Sequence, residues 1–255
     1  MTKPPLELEQ HAAREHSRTA ALSKEAWQAG TLALTGSGEY LPNMEKVDRL
    51  LLDRVGGSPR VVCLSTAAAP DGPATVAHWN KLGVDHFSKL GAQVEAVQIL
   101  THADANNNAF VDKLRAANFV YLSGGKPDYL HKTLADTQAF AALNDLLQRG
   151  GVVAGCSAGA MIWGQKIPSF PTILPFRSVF NYLPGAIIMP HFDEFGDRWG
   201  SAIKLILGDS TILGIDGYTA LVGHNGAYTS SGLGGVTVWD KKQKMRYTDG
   251  QTVTW

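Results

Sequence analysis

The sequence predicts an α/β fold, a mostly parallel sheet with helices on both faces followed by antiparallel C-terminal strands. Three observations lead to it. Short, near-continuous apolar runs recur at residues 31–36 (TLALTG), 60–66 (RVVCLST), 93–100 (QVEAVQIL), 118–125 (NFVYLSGG) and 151–157 (GVVAGCS). Helix-like stretches separate them, and strands that are apolar throughout belong to parallel sheets covered on both faces. Late in the chain the pattern changes: TILGID, YTALVGHNG and GAYTSSG are cut by Gly and Asp, and VTVWDKKQKMRYTDGQTVTW reads as short antiparallel strands.

A chain of 255 residues suits one large α/β domain. We place that domain at residues 29–255 and an appended N-terminal arm at 1–28. Residues 6–28 favour helix through their Glu, Ala, Gln and Arg, but the apolar face they offer is thin. A short helix is expected to begin at Ala158. The stretch 163–185 carries four prolines and several aromatics without a clear period, so it is expected to be a loop that covers something. Residues 186–192 (AIIMPHF) then read as a strand, and a helix is expected near 197–207.

Lys and Arg total 23 and Asp and Glu total 23, a formal net charge of zero, which gives no pull toward nucleic acid or an anionic membrane. Small peptides or other small molecules are the expected partners. Cys63 and Cys156 lie in or beside apolar runs and are expected to be buried, reduced thiols. The N-terminal residues lack an apolar signal core, and no stretch reaches the ~18 consecutive apolar residues of a membrane helix. A cytoplasmic location is the expectation. The two cysteines are far apart and no paired-ligand spacing is readable, so neither a metal nor another cofactor is expected. The arm and the C-terminal strands are surfaces on which a second copy could pack as a homodimer.

Chemistry concentrates at Gly155-Cys156-Ser157-Ala158-Gly159. This fits the G-x-S-x-G nucleophile elbow in the context that motif requires, after an apolar strand and before a helix. Small neighbours permit the strained turn that lifts a serine hydroxyl above the sheet, and the Ala158 N–H is the natural first donor to a developing oxyanion. Gly124-Gly125 ends a neighbouring strand, so Gly125 is the expected second donor. A bland reading of both features, tight turns that serve packing alone, stands beside the functional one. Of eight histidines, His191 is the expected base, because it ends an apolar run downstream of the nucleophile where its imidazole could reach Ser157 Oγ.

GCSAGAM around Ser157, the Pro-rich stretch after it, Pro190-His191-Phe192 and ILGIDGYTALV together resemble the peptidase E and cyanophycinase family of serine peptidases, over roughly residues 32 to 236. That resemblance implies the fold of class I glutamine amidotransferases and cleavage of small peptides after aspartate or of β-aspartyl links. It makes Ser157 the nucleophile, His191 the base, and Gly125 and Ala158 the oxyanion donors.

Two departures matter. The family carries an acidic residue between nucleophile and histidine, whereas none occurs here between Ala158 and Pro190. The candidates to orient the imidazole are, in order, Asp193, Glu194, Asn181 and Asp216. Lys126-Pro127 and Gly217-Tyr218 replace residues that cyanophycinases share, which argues against polymer cleavage. An acidic substrate group would be held by a cation, with Arg198 first in line, then Arg177 and Lys126, while Glu39 could meet a substrate amine. A non-peptidase amidase or esterase with the same Ser157 and His191 remains an alternative, as does a catalytically weak binding protein.

Overall fold

The structure is a computed structural model and describes residues 29–169 and 174–255. The N-terminal arm expected at 1–28 lies outside the described residues. The five apolar runs form parallel strands: β1 (Thr31–Thr35), β2 (Arg60–Leu64), β3 (Gln93–Ala96), β4 (Phe119–Leu122) and β5 (Val152–Cys156). Every residue of β1, β4 and β5 is buried, because helices cover both faces there. The run at 93–100 gives only four residues of strand at the sheet edge, and Val97 and Ile99 leave the ladder to enter the core.

Alternation along each strand divides the core in two. On one face Ala33, Cys63 and Tyr121 meet Met44, Val47 and Leu51 of the segment leading into and along α1 (Glu45–Asp53), and Phe87 of α2 (Pro73–Lys89). On the other, Leu34, Val62 and Val153 meet Leu114 of α3 (Asn108–Ala116), Leu130 of α4 (Pro127–Leu134) and Leu143 of α5 (Gln138–Gln148). Side-chain caps fix two of these helices: Asn107 Oδ1 accepts from the Ala109 N–H at 3.0 Å, and Thr137 Oγ1 from the Phe140 N–H at 3.3 Å.

Beyond β5 comes α6 (Ala158–Met161), at the expected position. The stretch expected to be a loop holds a short hairpin, β6 (Lys166–Pro168) with β7 (Phe176–Ser178). No period announced it, because its anchors Trp163, Phe180 and Tyr182 are irregularly spaced and gather in one aromatic cluster with Phe140. Trp163 is fully buried, Phe180 stacks on Phe140 at 3.7 Å between ring centroids, and Tyr182 meets Trp163 edge-on at 4.8 Å.

β8 (Ala186–Met189) is followed by α7 (Phe192–Ile206), which starts five residues before the expected 197. The reason is local: His191 takes a left-handed conformation and becomes the N-cap, so the helix begins at once. The remaining strands are β9 (Thr211–Ile215), β10 (Thr219–His224), β11 (Ala227–Gly232), β12 (Gly235–Trp239), β13 (Lys244–Thr248) and β14 (Thr252–Val253).

Eight strands make the main sheet in the order β14-β11-β10-β1-β5-β4-β2-β3, where β10, β11 and β14 add the expected antiparallel part. A second sheet, β13-β12-β9-β8, contains one parallel pair, β8 with β9. Among the described residues no helix is long and apolar enough to cross a membrane.

The second sheet holds the start of α7 by one close contact. A Cβ added at Gly214 would lie 2.3 Å from the ring of Phe192, which is itself 7% exposed. Gly214→Ala is therefore expected to displace Phe192 and to lower stability by about 1–3 kcal/mol, the usual cost of overpacking. Urea unfolding of the variant against the parent protein measures it.

Candidate active site

Ser157 follows β5 directly and sits at φ 51°, ψ −111°, a backbone region that side-chain-bearing residues seldom occupy. Its N–H donates to Thr35 O at 3.0 Å, and its own carbonyl accepts from the Ala160 and Met161 N–H groups, each at 3.0 Å. The flanking glycines are steric necessities. A Cβ on Gly155 would lie 2.2 Å from Gly159 O, and one on Gly159 would lie 2.3 Å from Leu122 O. Strand and helix thus touch backbone to backbone on either side of the serine.

Gly125 lies across from the elbow at φ 141°, where a Cβ would meet Ala67 O at 2.3 Å. Its neighbour Gly124 is tied to the elbow through Glu39. The Gly124 N–H donates to Glu39 Oε1 at 3.0 Å and the Cys156 thiol donates to Glu39 Oε2 at 2.8 Å. The sequence leaves Glu39 open to a substrate amine, with a structural carboxylate at a helix start as the stronger reading. In the structure the residue is 7% exposed, both carboxylate oxygens are engaged, and it does not line the serine's cleft, so its role is structural. Its position explains Cys156 as well, whose thiol is pushed well above the usual range by burial and then by the adjacent carboxylate. Burial pushes the Cys63 thiol up to about 12.

His191 has φ 51° and caps α7, its carbonyl accepting from the Glu194 and Phe195 N–H groups at 3.1 Å each. The imidazole Nε2 lies 3.2 Å from Ser157 Oγ. On the far side of the ring, Nδ1 is 3.7 Å from Glu194 Oε1, an ion-pair distance between side chains 33% and 54% exposed. Of the four orienting candidates, Glu194 is thus the one beside the ring. Asp193, ranked first, turns away: its Oδ1 accepts from the Gly217 N–H at 2.8 Å and holds the turn between β9 and β10. Asp216 is buried, accepts from the Gly235 N–H at 2.9 Å and pairs with Arg246. Asn181 stands in the covering segment with a buried Oδ1 that makes no hydrogen bond to a described residue.

Ser157, His191 and Gly125 share one cleft of about 430 Å3. Lys126 also lines it, with Nζ 3.5 Å from Asp71. Arg177 does not. Its guanidinium is 3.3 Å from Asp128 and 3.3 Å from Ser169 Oγ, pinning the hairpin to α4. Arg198 lines an adjoining, more charged cleft of about 690 Å3 together with Asp193, Glu194, Asp216, Lys244 and Arg246, and Phe195 and Trp199 border both clefts. Sequence reading missed the apolar wall of the serine's cleft. Phe195, Trp199 and Ile203 follow one another at intervals of four along α7, a spacing that puts them on one helical face and was there to be read. Among the described residues no cluster of His, Cys, Asp and Glu is arranged to hold a metal.

A hydroxyl within hydrogen-bond reach of an imidazole, with backbone N–H groups nearby and a carboxylate behind the ring, can support proton-coupled attack on an acyl carbon. Comparison with known proteins finds peptidases. The model of Peptidase family S51 matches residues 32–230. A solved peptidase from an acI-B1 Actinobacterium is 31% identical, superposes with a TM-score of 0.81, and the match covers 89% of this chain and 97% of that one. A putative peptidase E protein from Listeria monocytogenes EGD-e is 20% identical with a TM-score of 0.59, covering 80% of this chain and 98% of its own, and shares the fold.

Two measurements test the geometry under the elbow. Glu39→Leu strands the buried Gly124 N–H and is expected to cost about 1–3 kcal/mol in urea unfolding, with Glu39→Gln losing less because an amide oxygen still accepts. A thiol-disulfide reagent near pH 8 is expected to leave both cysteines unmodified in the native protein and to react with both after unfolding, since only an accessible thiolate attacks.

Proposed function

The chain belongs to peptidase family S51, and from that premise, which makes it a serine peptidase-like hydrolase, we propose an acyl-enzyme mechanism on Ser157 with His191 as the base. The observation that carries the proposal is the 3.2 Å contact from His191 Nε2 to the hydroxyl of a serine held at φ 51°. A packing role alone would not call for a strained, partly accessible serine aimed at an imidazole.

In the first half-reaction Ser157 Oγ attacks the substrate carbonyl while its proton passes to His191 Nε2. Negative charge on the carbonyl oxygen is received by the Gly125 and Ala158 N–H groups. The imidazolium then gives its proton to the departing amine, leaving an acyl ester on Ser157. Water, deprotonated by the same imidazole, releases the acid. Glu194 is the group we assign to hold the ring and favour the imidazolium, because its carboxylate lies 3.7 Å from Nδ1. The substrates are short peptides or isopeptides. The aspartyl preference implied by the family resemblance would draw on cations, and of Lys126, Arg177 and Arg198 only Lys126 borders this cleft.

Hydrolysis of a panel of dipeptides, aspartyl, β-aspartyl and neutral, tests the proposal, with esters and simple amides added to separate a peptidase from an amidase or esterase. Ser157→Ala and His191→Ala are each expected to lower kcat/KM by at least about 10³-fold. Glu194→Gln is expected to lower kcat by less than the ~10⁴-fold lost with a buried orienting carboxylate, because Glu194 is half exposed and screened. Unchanged turnover in Ser157→Ala would remove the serine from the mechanism.

A further inference from the structure

The two clefts, which share Phe195 and Trp199 as a common wall, differ in character. The charged residues gather in the one that excludes Ser157, whereas the cleft that holds Ser157 is walled by hydrocarbon. Met161, Ile188, Met189 and Ile203 are each no more than 9% exposed along it, and Phe195 and Trp199 complete the α7 side.

Lys126 is the one formal cation among the described residues lining this cleft. Its side chain is 59% exposed and paired with Asp71. Arg177 is committed to Asp128 and Ser169, and Arg198 faces the neighbouring cleft. A carboxylate-bearing side chain entering beside Ser157 would shed water against Met161, Ile188 and Ile203 and find no bidentate guanidinium among the described lining residues. Burial of a charge without a partner opposes binding. An apolar side chain meets the opposite balance, since it and the wall both leave water.

We infer that the acyl residue selected by this cleft carries an apolar side chain of the size of Leu, Met or Phe rather than a carboxylate. The inference rests on the acyl-enzyme reading of Ser157 and His191 and specifies which acyl group they serve. Phe195, Trp199 and Ile203 are the specificity-determining residues, offered from one face of the helix whose first turn carries Glu194.

Aminoacyl p-nitroanilides of Leu, Met, Phe and Asp, each with a free and an acetylated amine, vary the acyl side chain while the leaving group stays constant. The expected result is a kcat/KM for the best apolar member at least tenfold above that for Asp. Phe195 is half exposed, so Phe195→Arg can place a cation at the cleft without burying it, and is expected to shift the ratio toward Asp. Ile203→Ala is expected to lower kcat/KM for Leu and Phe more than for Asp.

A parent enzyme that prefers Asp, or treats the four alike, overturns the inference and leaves the mechanism standing if Ser157→Ala removes the activity. A folded Phe195→Arg whose ratio does not move also overturns it. Turnover of no member above the Ser157→Ala background overturns both the inference and the mechanism it rests on.

Discussion

A serine at φ 51° does not hold that conformation unaided; backbone of this kind costs on the order of 1–3 kcal/mol and persists where its surroundings over-determine it. Here three kinds of contact do so. The Ser157 N–H is fastened to β1 through Thr35 O, the elbow glycines let α6 lie against β5 and β4 without a side chain between, and Glu39 joins Cys156 to Gly124 from below. The third is the least replaceable, because one buried carboxylate serves donors on two different strand ends. It fixes the spacing between the serine and the Gly124-Gly125 turn, the two features whose relative position any oxyanion chemistry requires.

The histidine arrives by a separate route. β8 belongs to the second sheet, and its register with β9 sets where the chain emerges at Pro190. The left-handed His191 then turns the chain straight into α7, and Phe192 seats the first turn over Gly214. Two sheets of different construction therefore meet at one hydrogen bond, Nε2 to Oγ. No acidic residue lies between Ala158 and Pro190, and the carboxylate beside the imidazole comes instead from the same helix. Residues three apart on a helix are neighbours, so a carboxylate at 194 lies beside an N-capping histidine at 191 without any contribution from the covering segment.

What the sequence disclosed follows from how locally each feature is encoded. Five strands were legible as apolar runs, and the elbow, Gly125 and His191 as short motifs at strand ends. Glu39 was visible as a carboxylate after the first strand, but its partners lie 85 and 117 residues away in the chain, beyond any local pattern. The choice between Asp193 and Glu194 turned on a single residue of helix phase, which depended on a helix start that His191's backbone moved forward. Arg177 and Arg198 were plausible as cations, yet which cleft a cation borders is decided by packing. The 1–28 arm lies outside the described residues.

α7 carries much of the meaning of the site, because it borders both clefts. Ile203 borders the serine's cleft, Phe195 and Trp199 stand between the two and border both, and Asp193, Glu194 and Arg198 border the charged one. Glu194 reaches back from that wet side to the imidazole, at 3.7 Å and half exposed. A pair so placed is screened when both sides are wet, and its attraction strengthens as water leaves. Under the proposed mechanism the apolar wall and Glu194 would be coupled: a group that fills the serine's cleft would dry one side of His191 and raise the worth of Glu194 when the imidazole accepts a proton. An acid on a helix in contact with water can do in the occupied site what a buried acid does in every state, without leaving an uncompensated charge in the empty one.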